Sequence, residues 1–107
     1  MEISLEGWDI GRFEDVEWVP WGSGGNARAK LLAVADGFNV AYVEAEAGYR
    51  GDPHEHGHPE FLHVIRGTLR NQGVEMSAGD TYAAAAGSTH ADFGTDTGAT
   101  YISIFKI

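Results

Sequence analysis

Residues 48–67 read Gly48-Tyr49-Arg50-Gly51-Asp52-Pro53-His54-Glu55-His56-Gly57-His58-Pro59-Glu60-Phe61-Leu62-His63-Val64-Ile65-Arg66-Gly67, and they hold four of the five histidines of the chain. On an extended backbone, residues two apart share a face with a rise of about 6.6 Å, so His54 and His56 can converge on one cation. Imidazole nitrogens bind first-row metals at about 2.0–2.1 Å, and a carboxylate oxygen completes such a set at similar range. Ligands from one short segment leave a loose site, so a distant partner is required. His90, which follows the turn Ala86-Gly87-Ser88, can supply it from a neighbouring strand. His58 shares parity with His54, His56 and Glu60, while Gly57 and Pro59 interrupt the alternation. Periodicity therefore leaves open whether Glu60 or His58 is the fourth ligand. His63 has the opposite parity to Glu60 and stands between Phe61 and Ile65, which reads as a packed or supporting histidine.

Outward from this stretch the apolar pattern is short and close to a period of two. Ala27 to Ala35, Phe38 to Glu44, Phe61 to Arg66 and Ala99 to Phe105 read as strands, with weaker ones at Val74 to Met76, Asp80 to Ala84 and Thr89 to Phe93. Turn signals separate them, among them Asp36-Gly37, Gln72-Gly73 and Ala78-Gly79-Asp80. The tetrad Ala83-Ala84-Ala85-Ala86 favours helix, but Gly87 ends it and four residues do not nucleate one. Seven or more short strands between glycine turns predict an all-β sandwich or barrel. The first twenty-odd residues differ. They carry six acidic residues with Trp8, Phe13, Trp18 and Trp21 spaced among them, which predicts an arm laid across the domain and possible contact with a second subunit.

The 107 residues suffice for one domain that buries roughly two-thirds of its unfolded surface. A 43% hydrophobic share excludes a disordered chain. With no cysteine, disulfides, thiolate metal sites and cysteine nucleophiles are excluded. Sixteen acidic against seven basic residues give a formal charge of −9, a field that repels phosphate backbones and anionic lipid. Nucleic acid and membrane are thus poor partners. No apolar run matches a membrane span and the acidic start lacks a leader pattern, so the expected location is cytoplasmic. There is no dinucleotide or Walker glycine pattern, and Thr81, Ser88 and Thr89 form no Ser-His-Asp constellation.

The spacing Gly48, five residues, His54, one residue, His56, three residues, Glu60, six residues, Gly67 resembles the first cupin motif at every fixed position. Gly79, Gly87 and His90 are similar to the second, with Ala85 in place of the usual proline and Gly94 in place of the usual asparagine. Trp18-Val19-Pro20-Trp21 and Lys30-Leu31-Leu32 are similar to the start of ChrR-like cupins, a subgroup that takes in the C-terminal domain of an anti-sigma factor and dioxygenases of small hydroxylated ketones. The resemblance implies an antiparallel jelly-roll β-barrel of six to eight strands. It would form a single domain over 1–107, with an arm at 1–25 and motifs at 48–67 and 79–94. It also implies one divalent metal on the residues matching His54, His56, Glu60 and His90, with Glu60 the carboxylate important to turnover.

Four protein ligands leave one or two positions open on a metal that prefers five or six. The resemblance then implies oxygenation of a small carbonyl or hydroxyketone compound, with iron the expected metal and zinc, manganese, nickel or copper compatible with the same ligands. The alternatives are a non-catalytic ligand-binding or sensing module and a metal-dependent isomerase. A direct anti-sigma role is disfavoured, because the sigma-contacting part of those relatives uses cysteines. The expected partners are a small-molecule substrate and a second copy in a homodimer. Arg50, Arg66, Arg70 and Tyr82 are weaker candidates for substrate contact, and Trp18 and Trp21 read as packing anchors rather than pocket walls.

Overall fold

The computed structural model describes residues 5–106, so the first four residues of the expected arm lie outside it. After a 3-10 turn at Phe13–Asp15, ten strands follow among the described residues: β1 Val19–Pro20, β2 Ala27–Ala35, β3 Phe38–Ala45, β4 His54–Glu55, β5 Glu60–Asn71, β6 Val74–Ser77, β7 Thr81–Ala84, β8 Thr89–His90, β9 Phe93–Gly94 and β10 Ala99–Lys106. The main curled sheet runs β1-β2-β3-β10-β5-β6, with β7 and β9 also paired to β5, and β4 pairs separately with β8. The two-residue turns Asp36-Gly37 and Gln72-Gly73 have positive φ at both positions, the mirror-image turn that matches strand twist, and they close the hairpins β2–β3 and β5–β6.

Alternation builds the interior. Ala41, Val43 and Ala45 of β3, Leu62 and Val64 of β5, and Tyr101 and Ser103 of β10 face inward and are buried. Leu69, Met76 and Phe93 belong to the same core. Each Leu or Val so buried contributes roughly 1.5–3 kcal/mol relative to exposure.

The strand expected over Phe61 to Arg66 is in fact twelve residues long, and it changes face along its length. Arg66 pairs with Thr100 and Val64 with Tyr101, so Ile65 is the extra residue of a bulge. Before it Glu60, Leu62 and Val64 point inward. Beyond it Leu69 and Asn71 do. A regular strand would place Glu60 and Asn71, eleven apart, on opposite faces. The bulge puts both in the interior.

The strand expected over Thr89 to Phe93 is divided. Thr89–His90 pairs with β4, and Phe93–Gly94 pairs with the far end of β5, so the chain turns at Ala91-Asp92 to serve two different partners. Ala83 and Ala84 belong to β7, and β1 was not anticipated. Gly94 has a packing reason. It is buried, bridges to Arg50, and a Cβ there would run into the Tyr49 carbonyl. No helix of the described residues is long and apolar enough to cross a membrane.

Candidate metal centre

The pairing of β4 with β8 sets His54 directly opposite His90. His56 lies just beyond β4, its N–H held by the Ser88 carbonyl, and the bend at Gly57-His58 returns the chain to Glu60 at the start of β5. His54, His56, Glu60 and His90 each bring one ligand atom to a common point, all within 4.8 Å of one another. The imidazole centroids form a near-equilateral triangle of 4.8, 5.3 and 5.2 Å. His56 and His90 are buried, whereas His54 sits at the open rim.

Each ring is oriented by its other nitrogen. His54 Nδ1 donates to the Asp52 carbonyl at 2.9 Å. Ser88 Oγ gives its hydrogen to the Ala85 carbonyl at 2.6 Å, so it accepts from His56 Nδ1 at 2.8 Å. Asn71 Oδ1 accepts from His90 Nε2 at 2.8 Å. These acceptors fix the tautomers and leave His54 Nε2, His56 Nε2 and His90 Nδ1 as inward lone pairs, the arrangement that metal-binding histidines use. The last two are buried with no hydrogen-bond partner. His56 Nε2 is 3.3 Å from Glu60 Oε1 without hydrogen-bond geometry, so a lone pair faces a carboxylate. That juxtaposition is repulsive unless a cation sits between them. Three nitrogens, one carboxylate oxygen and no sulfur suit a divalent transition metal, and the residues present fit one.

The electrostatics agree. Burial lowers the His90 pKa from the usual 6.5, Glu60 opposes the shift, and His54 and His56 add to the lowering, so the ring stays neutral and able to ligate. Tyr82 donates its hydroxyl to Glu60 Oε2. Burial first, and the Glu60 carboxylate second, raise its phenol pKa far above 10, so it remains a donor.

Beside these four residues lies a cavity of about 250 Å3, walled by Trp21, Tyr49, Leu62, Phe93, Tyr101 and Ser103. Trp21 is therefore a pocket wall as well as an anchor against Phe105, contrary to the expectation for it. Trp18 instead packs at the arm with Phe13 and Tyr42. None of the described residues lining the cavity is Lys or Arg. Arg50 is bound to Asp96 and to the Tyr49 and Thr95 carbonyls, Arg70 is bound to Asp92 and Asp96, and Arg66 lines a separate cleft with Gly67 and Thr97. Tyr82 reaches Glu60 rather than the cavity. His58 is exposed and outside the cluster, and His63 is on the outer face with its Nδ1 against Thr81 Oγ1 at 2.7 Å. Sequence reasoning missed Asn71 and the supporting role of Ser88. The position of Ser88 two residues before His90 was a usable signal, but nothing in the sequence marked Asn71.

A family model described as the ChrR Cupin-like domain matches residues 8–106. No curated protein matches the chain by sequence. Among solved structures, a candidate acetylacetone dioxygenase from Methylibium petroleiphilum superposes with a TM-score of 0.83 at 21% identity, covering 99% of this chain and 81% of that one. An acetylacetone dioxygenase from Acinetobacter johnsonii gives 0.78 at 16% identity, covering 99% and 77%. A crystal structure of Rhodobacter sphaeroides SigE in complex with the anti-sigma ChrR gives 0.72 at 22% identity, covering 89% and 52%. At these identities the likeness is one of fold.

Proposed function

Because the chain belongs to the ChrR cupin-like family, we propose that it is a metal-dependent dioxygenase acting on a small, uncharged carbonyl or hydroxyketone compound. The observation that carries this reading is the convergence of three imidazole nitrogens and one carboxylate oxygen beside a small, largely apolar cavity. Iron(II) is the metal we propose, and when bound it supplies Lewis acidity and redox chemistry with dioxygen. His54, His56, Glu60 and His90 would hold it, each ring presenting the nitrogen left free by its acceptor. Trp21, Leu62 and Phe93 give the adjoining space apolar walls, and Ser103, Tyr49 and Tyr101 add polar groups to them. Below about 300 Å3, the cavity is at the small end for ligand sites, which suits a substrate of few heavy atoms. With Glu60 and Asp52 at its edge, no Lys or Arg among the described lining residues and a chain charge of −9, a carboxylate or phosphate substrate meets no positive side chain there.

The test loads metal-free protein with Fe(II), Mn(II), Ni(II) or Zn(II) in turn and follows oxygen uptake and loss of small β-diketones and hydroxyketones. Turnover with iron is expected. The likeness to the ChrR complex favours a second reading, a ligand-binding or sensing module. Tight binding of such compounds without turnover on any metal would select it.

A further inference from the structure

Glu60 has two oxygens with different surroundings. Oε1 faces His56 Nε2 at 3.3 Å, while Oε2 accepts the Tyr82 hydroxyl. The sheet arranges this. Leu62 pairs with Tyr82 and Glu60 with Ala84, so Tyr82 stands on the inward face diagonally beside Glu60. The Tyr82 ring is fixed on both sides, edge-on to His90 at 5.8 Å and to Phe93 at 6.5 Å. It is not among the residues that line the cavity.

We propose that Tyr82 is the positioning residue that restricts Glu60 to one-oxygen ligation, and so keeps open a metal position that a two-oxygen carboxylate would fill. The inference rests on the metal-centre reading above. A phenol donating to Oε2 draws charge from that oxygen and stops the carboxylate from rotating both oxygens toward the imidazoles. Without it, a carboxylate beside a divalent cation can chelate with both oxygens, as carboxylates commonly do on hard cations.

The experiment replaces Tyr82→Phe, which keeps the ring against His90 and Phe93 and removes only the hydroxyl. Wild type, Tyr82→Phe, Glu60→Ala and the double variant are loaded with Mn(II). Metal per chain is measured by mass spectrometry, and exchangeable metal-bound water by proton relaxation. In Tyr82→Phe we expect metal content unchanged and the water count lower by one. In the Glu60→Ala background the same substitution should change nothing, because there is no carboxylate left to restrain. An unchanged water count in Tyr82→Phe overturns the inference while leaving the metal centre intact. So does an equal change in both backgrounds, which marks a packing effect. Wild-type protein that binds no metal defeats the metal reading itself, and the inference falls with it.

Discussion

Each of the three imidazoles at the centre has one nitrogen held by an acceptor of the chain, and the acceptors come from three different places: the Asp52 carbonyl, Ser88 Oγ and Asn71 Oδ1. At this scale the strongest expectation concerns Asn71, whose contact fixes the tautomer of a buried ring. Asn71→Ala should weaken metal affinity about 10–100-fold, as loss of such a supporting contact commonly does. Competition against a chelator of known affinity measures it, and affinity equal to wild type would refute the tautomer argument. His90→Ala should abolish stoichiometric metal, whereas His63→Ala, on the outer face against Thr81, should leave it unchanged. Mass spectrometry of the two purified variants separates them, and equal metal in wild type and His90→Ala would sink the site. The histidine pair and its distant partner were legible in the residues, because imidazole is rare and its spacing informative. Asn71 was not, because an asparagine before Gln72-Gly73 reads as turn chemistry.

Among the elements, β5 does the most to shape the site, and its bulge and Gly67 set its course. Gly67 has φ +82, and a Cβ there would meet the Gly98 carbonyl and Ala99 Cα, both backbone atoms with little room to yield. Gly73 has φ +79 with open space around it. Gly73→Ala should therefore cost only the left-handed penalty of roughly 1–2 kcal/mol, and Gly67→Ala clearly more. Urea unfolding of the two variants decides, and equal midpoints would refute the steric account. Beside β5, Asp96 lies between Arg50 and Arg70. The Arg50 hydrogen bond and the Arg70 charge hold its carboxyl below the usual 3.8. The folded value is depressed, so the contribution of this network is present above pH 3.8 and lost as the pH falls through the folded value. Asp96→Asn should lower the urea midpoint at pH 7, with the gap to wild type narrowing below pH 3.8. A gap that stays constant across that range would show that the charge is not what matters.

For the whole molecule, large apolar side chains remain at the surface on the arm and on the outer faces of strands. Leu5, Trp8, Ile10 and Phe13 belong to the first, and Leu31, Val34, Phe61 and Ile65 to the second. Trp8 is 74% exposed, unusual for so large a ring. We propose that a second copy covers part of this surface in a symmetric dimer, the commonest closed assembly. Light scattering should then give twice the 11.5 kDa chain mass at micromolar concentration, and a monomer would refute it.

The sequence by itself determined the all-β class, most strand positions and the histidines worth attention. Alternation of period two, glycine turns and rare imidazoles are local signals, and local signals survive in a linear reading. Periodicity left His58 and Glu60 equivalent, because Gly57 and Pro59 break the parity on which it depends, and it was the resemblance to the cupin spacing that pointed to Glu60. The physical difference between them lies in the tertiary structure, which bends the chain so that Glu60 opens β5 facing inward while His58 is exposed. The division of residues 89–94 between two partners and the inward turn of Asn71 were likewise decided there. Both depend on which strands lie alongside and on one extra residue at Ile65, and a bulge is set by the packing of neighbouring strands rather than by the residue that forms it.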